Sequence, residues 1–125
     1  MRNDASPLLD KSIMRLSFGE DRSFIGATMQ IYMRDAPILA QKAYDALMAG
    51  NNADLASHAH ALKGITGYFT KGELYTSCLD LEKLGRESEL PLQAVHALGI
   101  WSTINNYLGD MLQAMQDYLE ESGTS

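Results

Sequence analysis

A chain of 125 residues with 46% hydrophobic and 21% charged content has the size and composition of one globular domain. Its net charge of −6 would repel a phosphate backbone, which argues against nucleic acid as a partner. Cys78 is the single cysteine, so a disulfide framework is excluded and a reducing, cytoplasmic compartment is favoured. No apolar run approaches the roughly 18 residues of a membrane span, and we expect no direct membrane contact. Residues 1–125 are therefore predicted to form a single domain, with flexible ends at residues 1–5 and 121–125.

Helix-forming residues dominate the chain, and no segment alternates β-branched with polar residues as a half-buried strand would. The expected fold class is all-α. A first helix is predicted from Ser6-Pro7, a cap followed by proline in the first turn, to about Ser17. Gly19 ends this short helix, and Asp21 is placed to cap the second.

The second helix carries apolar residues at spacings of three and four, which predict one continuous buried stripe. The stripe consists of Ile25, Met29, Tyr32, Ala36, Leu39, Ala43 and Leu47. Pro37 lies inside it and removes a backbone donor, so a kink or short break is predicted there. Gly50-Asn51-Asn52 is typical of a helix stop, a turn and a new cap.

The third helix is predicted over about residues 53–69. Its inward face consists of Leu55, Ala59, Leu62, Thr66 and Phe69. The fourth helix is predicted to begin with a capping box at 70–73. In this motif the Thr70 hydroxyl accepts the amide of Glu73, and the Glu73 carboxylate accepts the amide of Thr70. The buried face of that helix consists of Leu74, Cys78, Leu81 and Gly85.

A turn is predicted from Gly85 to Pro91, followed by a last helix over about residues 92–120. Its apolar residues at helical spacing are Ile104, Leu108, Met111, Met115 and Tyr118. Because the turns between these helices are short, neighbouring helices should be antiparallel. The expected architecture is an antiparallel up-down four-helix bundle with a short extra N-terminal helix.

One face of the third helix is poor in long side chains. On a helical wheel, the residues opposite the apolar stripe are Ala53, Ala56, Ser57, His60, Lys63, Gly64 and Gly67. Solvated helix faces normally carry long polar side chains, and each Gly costs a helix about 1 kcal/mol relative to Ala. We interpret this face as a docking surface, on which another protein brings a reactive group to the His60 imidazole.

The turn between the third and fourth helices brings Glu82 level with His60. His60 lies ten residues before Thr70 and Glu82 twelve after it, about 15 Å and 18 Å along antiparallel helices. A carboxylate there accepts the proton of one ring nitrogen, orients the ring and leaves the other nitrogen free as a nucleophile. Lys63, one turn after His60, supplies a positive charge for phosphoryl oxygens.

These residues resemble the signature of histidine-phosphotransfer (HPt) domains of two-component phosphorelays. The resemblance is carried by His60-Ala61-Leu62-Lys63-Gly64, by Leu55 and Ala59 before it, and by Phe69, Leu74, Cys78, Leu81 and Glu82 after it. It extends over nearly the whole chain through Gly19-Glu20-Asp21 with Phe24, Ala36-Pro37, Leu47 with Gly50, and Gly85-Arg86. One position departs: ten residues after the His, where the family usually has Gly, this chain has Thr70, which we expect to cap the fourth helix.

The resemblance implies a phosphorelay intermediate. His60 would accept a phosphoryl group from a receiver-domain aspartate and pass it to a second receiver aspartate. Lys63 would steady that group, Gly64 would clear space beside the ring, and Glu82 would orient it. The implied partners are response-regulator receiver domains and a hybrid sensor histidine kinase, with this chain as a separate monomer or as the cytoplasmic end of a membrane-bound kinase.

The sequence contains neither a Walker-type nor a kinase Gly-rich loop, so ATP binding and self-phosphorylation are not expected. We predict a phosphocarrier and not an enzyme, with no cofactor of its own and with Mg²⁺ only on the receiver. Two other functions stay open. One is the phosphorylatable domain of a chemotaxis-type histidine kinase, which receives its phosphate from an ATP-binding domain. The other is a helical module that only binds partners through the same face.

The remaining residues of chemical interest are assigned structural roles. His58 is expected to be partly buried and His96 to lie on the surface. A His58/His60 metal pair is not expected, because helical ligands are spaced by three or four residues. Cys78, Trp101 and the seven Met residues are predicted to pack in the core.

Overall fold

The computed structural model describes residues 8–87 and 93–121, and within these ranges it contains five α-helices and no strand. The helices are α1 (Lys11–Phe18), α2 (Arg22–Met48), α3 (Asn52–Thr66), α4 (Glu73–Glu87) and α5 (Ala94–Glu121). The predicted all-α class is therefore confirmed. The flexible ends predicted at 1–5 and 121–125 lie outside the described residues, except for Glu121, the last residue of α5.

The first helix begins later than predicted. The Asp10 carboxylate accepts hydrogen bonds from the amides of Ser12 (2.9 Å) and Ile13 (3.2 Å), and α1 starts at Lys11. Residues 8–10 are not helical, because Asp10 uses its side chain to satisfy the free amides of the first turn. The predicted start at Ser6-Pro7 itself lies outside the described residues.

Helix α2 has the predicted cap, whereas α3 begins one residue earlier than predicted, with Asn51 and not Asn52 as its cap. Asp21 caps α2 and Asn51 caps α3, each through a side-chain oxygen 3.0 Å from an amide three residues on. Gly19 and Gly50 end the preceding helices with φ of +67° and +71°, a conformation that L side chains adopt only with strain. Short polar and glycine residues thus fix where the helices begin and end.

Of the kink or short break predicted at Pro37, the break is absent: α2 runs without interruption from Arg22 to Met48. Pro37 lies on the exposed side of the helix, where its ring displaces no core residue. Ala36 and Ala40, on the opposite side, are buried. Packing of this buried side outweighs the single backbone hydrogen bond that proline removes.

The connection between α3 and α4 differs from the predicted capping box. Helix α3 ends at Thr66, three residues earlier than expected, and the Thr66 carbonyl accepts the amide of Thr70 at 3.1 Å. The Thr70 hydroxyl accepts the amide of Gly72 at 3.0 Å. The Glu73 carboxylate accepts a hydrogen bond from the Tyr107 hydroxyl at 3.2 Å and is therefore turned toward α5. Thr70 stabilises a tight turn instead of exchanging bonds with Glu73.

The core lies between α2, α3, α4 and α5. Helix α3 packs against α2 and α4, and α5 packs against the same two helices from the other side. The buried Tyr32 and Thr66 hydroxyls hydrogen-bond to each other at 2.8 Å across α2 and α3. Cys78 is fully buried, as predicted, and burial raises the pKa of its thiol to about 12, which makes it unreactive. Trp101 is half-buried and donates to the Ala40 carbonyl at 2.8 Å.

Among the Met residues in the described ranges, the core prediction holds for four and is wrong for one. Met14, Met29, Met111 and Met115 are buried. Met33 is partly buried against the core. Met48, the last residue of α2, is 54% exposed. Within residues 8–87 and 93–121, no helix is long and apolar enough to cross a membrane.

Helices α3 and α4 approach closely where both carry small residues. Gly85 was predicted to begin a turn, but it lies inside α4 and is buried. A Cβ added to Gly85 would lie 3.0 Å from the Ala56 amide nitrogen and 3.1 Å from both the Ala56 Cβ and the Asn52 carbonyl oxygen. The absence of a side chain at Gly85 therefore sets the distance between the two helices.

We expect Gly85→Ala to destabilise the fold by about 1–3 kcal/mol, because the added methyl group overlaps α3 backbone that cannot move independently. Urea unfolding would measure the change. The matched control is Gly109→Ala in α5, where nothing lies within 4 Å of the added Cβ. That substitution should stabilise the fold by up to about 1 kcal/mol. Equal effects of the two substitutions would contradict the close approach at Gly85.

Candidate functional site

His60 stands on an open face of α3. Its side chain is 59% exposed. Ala53, Ser57 and Gly64 are exposed on the same face, as the helical wheel predicts. No atom lies within 4 Å of the position that a Cβ of Gly64 would occupy. The imidazole is therefore accessible to a large partner, and the docking role of these residues stays a prediction.

Three residues predicted on that face are not openly exposed: Ala56, Lys63 and Gly67. Ala56 is 4% exposed because it packs against Gly85 of α4. Gly67 is half-buried, and a Cβ there would lie 2.8 Å from Lys71 Nζ and 3.1 Å from the Tyr75 ring. The prediction of their exposure is wrong because the wheel describes one helix and contains no information on how far α4 covers it.

Glu82, on α4, is the carboxylate that faces His60. Its side chain is 8% exposed, and three basic side chains contact it. His60 Nδ1 lies 2.9 Å from Glu82 Oε2, and Lys63 Nζ lies 2.8 Å from Oε1. Arg86 donates from Nη2 (2.8 Å) and Nε (3.1 Å) to Oε2. The structure thus brings together the three residues that the sequence singled out for the chemistry, and it adds Arg86.

These contacts fix the charge on Glu82. Burial alone would raise the pKa of its carboxyl, but the interactions with Lys63, Arg86 and His60 outweigh burial and lower the pKa to about 2. Glu82 is therefore a carboxylate at neutral pH, and a carboxylate only accepts hydrogen bonds. His60 Nδ1 must then be the donor. In the neutral ring, the lone pair remains on Nε2.

Lys63 has a different environment from the one that the sequence indicates. Its side chain is 17% exposed and its ammonium is paired with Glu82 Oε1. The ion pair stabilises the buried carboxylate, since an unpaired charge at that depth would be costly. The contact between Lys63 and a phosphoryl group stays a prediction.

From the sequence, Arg86 could either border the docking surface or be a solvated charge at the helix end. Its side chain is 57% exposed, and it borders a groove beside His60 between α3 and α4. The groove is lined by Asn52, Ala53, Ala56, Ser57, His60, Gly85 and Arg86. The sequence does contain a signal for this arrangement, because Arg86 follows Glu82 by four residues, the spacing at which helical side chains meet.

The other histidines lie where the sequence places them. His58 is half-buried and His96 is exposed. Among residues 8–87 and 93–121, no group of three or more His, Cys, Asp or Glu side chains is arranged to hold a metal ion.

Comparison with known families agrees with the site. The family model of the Hpt domain matches residues 27–121 of the chain. The chain therefore belongs to the Hpt domain family, as its sequence resemblance implies. No curated protein and no solved structure matches it.

Membership of this family gives the chain a phosphotransfer role in two-component signalling. Hpt domains are phosphocarriers and not kinases, and in general they interact with response-regulator receiver domains and with kinases. The matched range includes all four residues of the site and most of the core, whereas α1 and the first turn of α2 precede it.

We expect Glu82→Gln to lower the free energy of unfolding at neutral pH by about 1–3 kcal/mol, because the ion pair with Lys63 and the charge-assisted hydrogen bonds to His60 and Arg86 are lost. The folded-state pKa of Glu82 lies at about 2, below its ordinary value of 4.5. Its contribution to stability is therefore complete above about pH 4.5 and disappears as the pH falls through 2.

Urea unfolding of the wild type and Glu82→Gln at several pH values tests this. The difference between the two should be largest above pH 4.5 and should shrink toward pH 2. Glu87→Gln, an exposed carboxylate on the same helix, is the matched control and should change little. A difference that is constant with pH would contradict the ionised state of Glu82.

Proposed function

We propose that the chain is a phosphorelay intermediate, in which His60 accepts a phosphoryl group from a receiver-domain aspartate and passes it to a second receiver aspartate. One observation carries this proposal: His60 is exposed and its Nδ1 is bonded to the Glu82 carboxylate at 2.9 Å. This arrangement leaves Nε2 with a free lone pair on an open helix face, as a nucleophile requires.

The proposed reaction needs little from the chain beyond position and charge. The Nε2 lone pair of His60 forms a bond to phosphorus while the bond from phosphorus to the aspartyl oxygen breaks, and the aspartate leaves as a carboxylate. The ring becomes positively charged while Nδ1 keeps its proton. Glu82, already ionised, stabilises that charge without any proton moving. Transfer to the second receiver reverses these steps.

The other site residues have supporting roles in this proposal. Gly64 leaves space beside the ring, and Ala53 and Ser57 form a low surface on which a receiver docks. We propose that Lys63 acts on the phosphoryl group chiefly through Glu82.

The chain would need no cofactor, and the Mg²⁺ of the reaction would belong to the receiver. A hybrid sensor histidine kinase is the proposed source of phosphate, and the cytoplasm, in which Cys78 would stay reduced, is the proposed compartment.

We further infer that residues 1–125 form one domain in which α2 to α5 are arranged as an antiparallel up-down four-helix bundle, with α1 as an addition. Three residue pairs support the antiparallel order of α3 and α4. Ala56 meets Gly85, His60 meets Glu82, and Gly67, which directly follows α3, approaches Tyr75, so later residues on the α3 side contact earlier residues of α4. A monomer is proposed.

Incubation with a phosphorylated receiver tests the proposed function. The wild type should acquire an acid-labile label, and His60→Gln should acquire none. His96→Gln, which removes an exposed histidine, should be labelled like the wild type. Binding of the receiver without any label would support a partner-binding module instead. If the chain is labelled by an ATP-binding kinase domain but by no phosphorylated receiver, the result would support the chemotaxis-type alternative.

We expect Gly64→Gln to slow phosphoryl transfer from the receiver at least about tenfold, because a long side chain beside His60 blocks close approach. The fold should be unchanged, since nothing lies within 4 Å of the added Cβ. Gly99→Gln in α5, where the space is also open, is the matched control. Transfer rates that are equal in Gly64→Gln and Gly99→Gln would contradict docking on this face.

A further inference from the structure

We propose that Arg86, and not Lys63, is the side chain that contacts the phosphoryl group carried on His60, and that Glu82 holds the Arg86 guanidinium in place for this contact. The inference rests on the proposed function, because it concerns the same site. Its support is the position and the exposure of Arg86 and Lys63, the two cations that contact the Glu82 carboxylate.

Arg86 and His60 are held on the same oxygen atom. Glu82 Oε2 accepts from His60 Nδ1 at 2.9 Å and from Arg86 Nη2 and Nε at 2.8 Å and 3.1 Å. Lys63 contacts the other oxygen, Oε1, at 2.8 Å. The Arg86 guanidinium therefore lies next to the His60 imidazole, since both contact Glu82 Oε2. Glu82 fixes the position of the guanidinium as well as the orientation of the ring.

Exposure separates the two cations further. The Arg86 side chain is 57% exposed, whereas that of Lys63 is 17% exposed. A phosphoryl group bound to a ring that is itself 59% exposed stands in solvent, where Arg86 reaches it without a change in its burial. Lys63 is paired with Glu82 Oε1 and mostly buried, so reaching the same group would require it to become more exposed and would weaken the pair that stabilises the buried carboxylate.

Among the described residues that line the groove beside His60, Arg86 is the one with a permanent charge. Apart from His60, the residues that line the groove with Arg86 are Asn52, Ala53, Ala56, Ser57 and Gly85, all uncharged. A phosphoryl group brings a charge of about −1.5 to −2 into this uncharged groove. Arg86 is therefore the cation that would neutralise it there.

The guanidinium has the donors that this contact needs. It carries five N–H groups in one plane, and Glu82 accepts two of them. Planar pairs of N–H groups match phosphoryl oxygens in a bidentate geometry that a lysine ammonium does not offer. Because Glu82 fixes the plane of Arg86 before phosphorylation, little side-chain entropy is lost when the phosphoryl group arrives.

The test is ³¹P NMR of the full chain phosphorylated with phosphoramidate, a small donor that requires no cognate receiver. The resonance to follow is the one that is absent from His60→Gln, and its chemical shift is recorded against pH. A cation in contact with the phosphoryl group favours its doubly charged form. We therefore expect Arg86→Gln to move the titration midpoint upward by about half a pH unit or more.

Three variants make the comparison specific. Arg86→Lys keeps the charge and should retain part of the wild-type midpoint. Lys63→Gln should move the midpoint less than Arg86→Gln does. Lys83→Gln removes an exposed charge from the side of α4 that faces α5 and should leave the midpoint unchanged. Urea unfolding of each variant shows that the fold is intact.

The outcomes distinguish this inference from the proposed function. A His60-dependent resonance whose midpoint is the same in Arg86→Gln and the wild type, or is moved more by Lys63→Gln, overturns the role of Arg86 and leaves the phosphocarrier function standing. The absence of any His60-dependent resonance, together with no label from a phosphorylated receiver, contradicts both.

Discussion

Burial of the Glu82 carboxylate between α3 and α4 is the constraint from which the site follows. At 8% exposure the charge is stable only if cationic groups surround it, and Lys63 and Arg86 provide them from the two helices. The same carboxylate also accepts a hydrogen bond from His60 Nδ1 through Oε2. Orientation of the imidazole and stability of the helix pair are therefore consequences of one buried charge.

Small residues let this carboxylate reach His60. Gly85 and Ala56 bring α4 close to α3 one turn from the site, and a larger residue at either position would widen the gap between the helices. On the outer side of α3, Ser57 and Gly64 leave the ring accessible. Small side chains therefore have two purposes on one helix: close packing toward α4 and access toward a partner.

The helices and the His60–Glu82 pair follow from the sequence, because helical rise and periodicity are regular enough to count residues across a turn. Where a group has several possible hydrogen-bond partners, the sequence does not show which of them it bonds to. The Thr70 amide bonds to a carbonyl behind it and not to a side chain ahead of it. The cover over Ala56 likewise depends on the distance between helices, which no single-helix pattern contains. The spacing of Glu82 and Arg86 within α4 does signal that these two side chains can meet, but it does not show that their pair lies beside His60.

The most direct test of this account is the tautomer of His60, measured through the ¹⁵N chemical shifts and couplings of its imidazole at a pH where the ring is neutral. We predict a proton on Nδ1 and a lone pair on Nε2, and we expect Glu82→Gln to weaken this preference. A neutral ring that carries its proton on Nε2 in the wild type would contradict the role of Glu82.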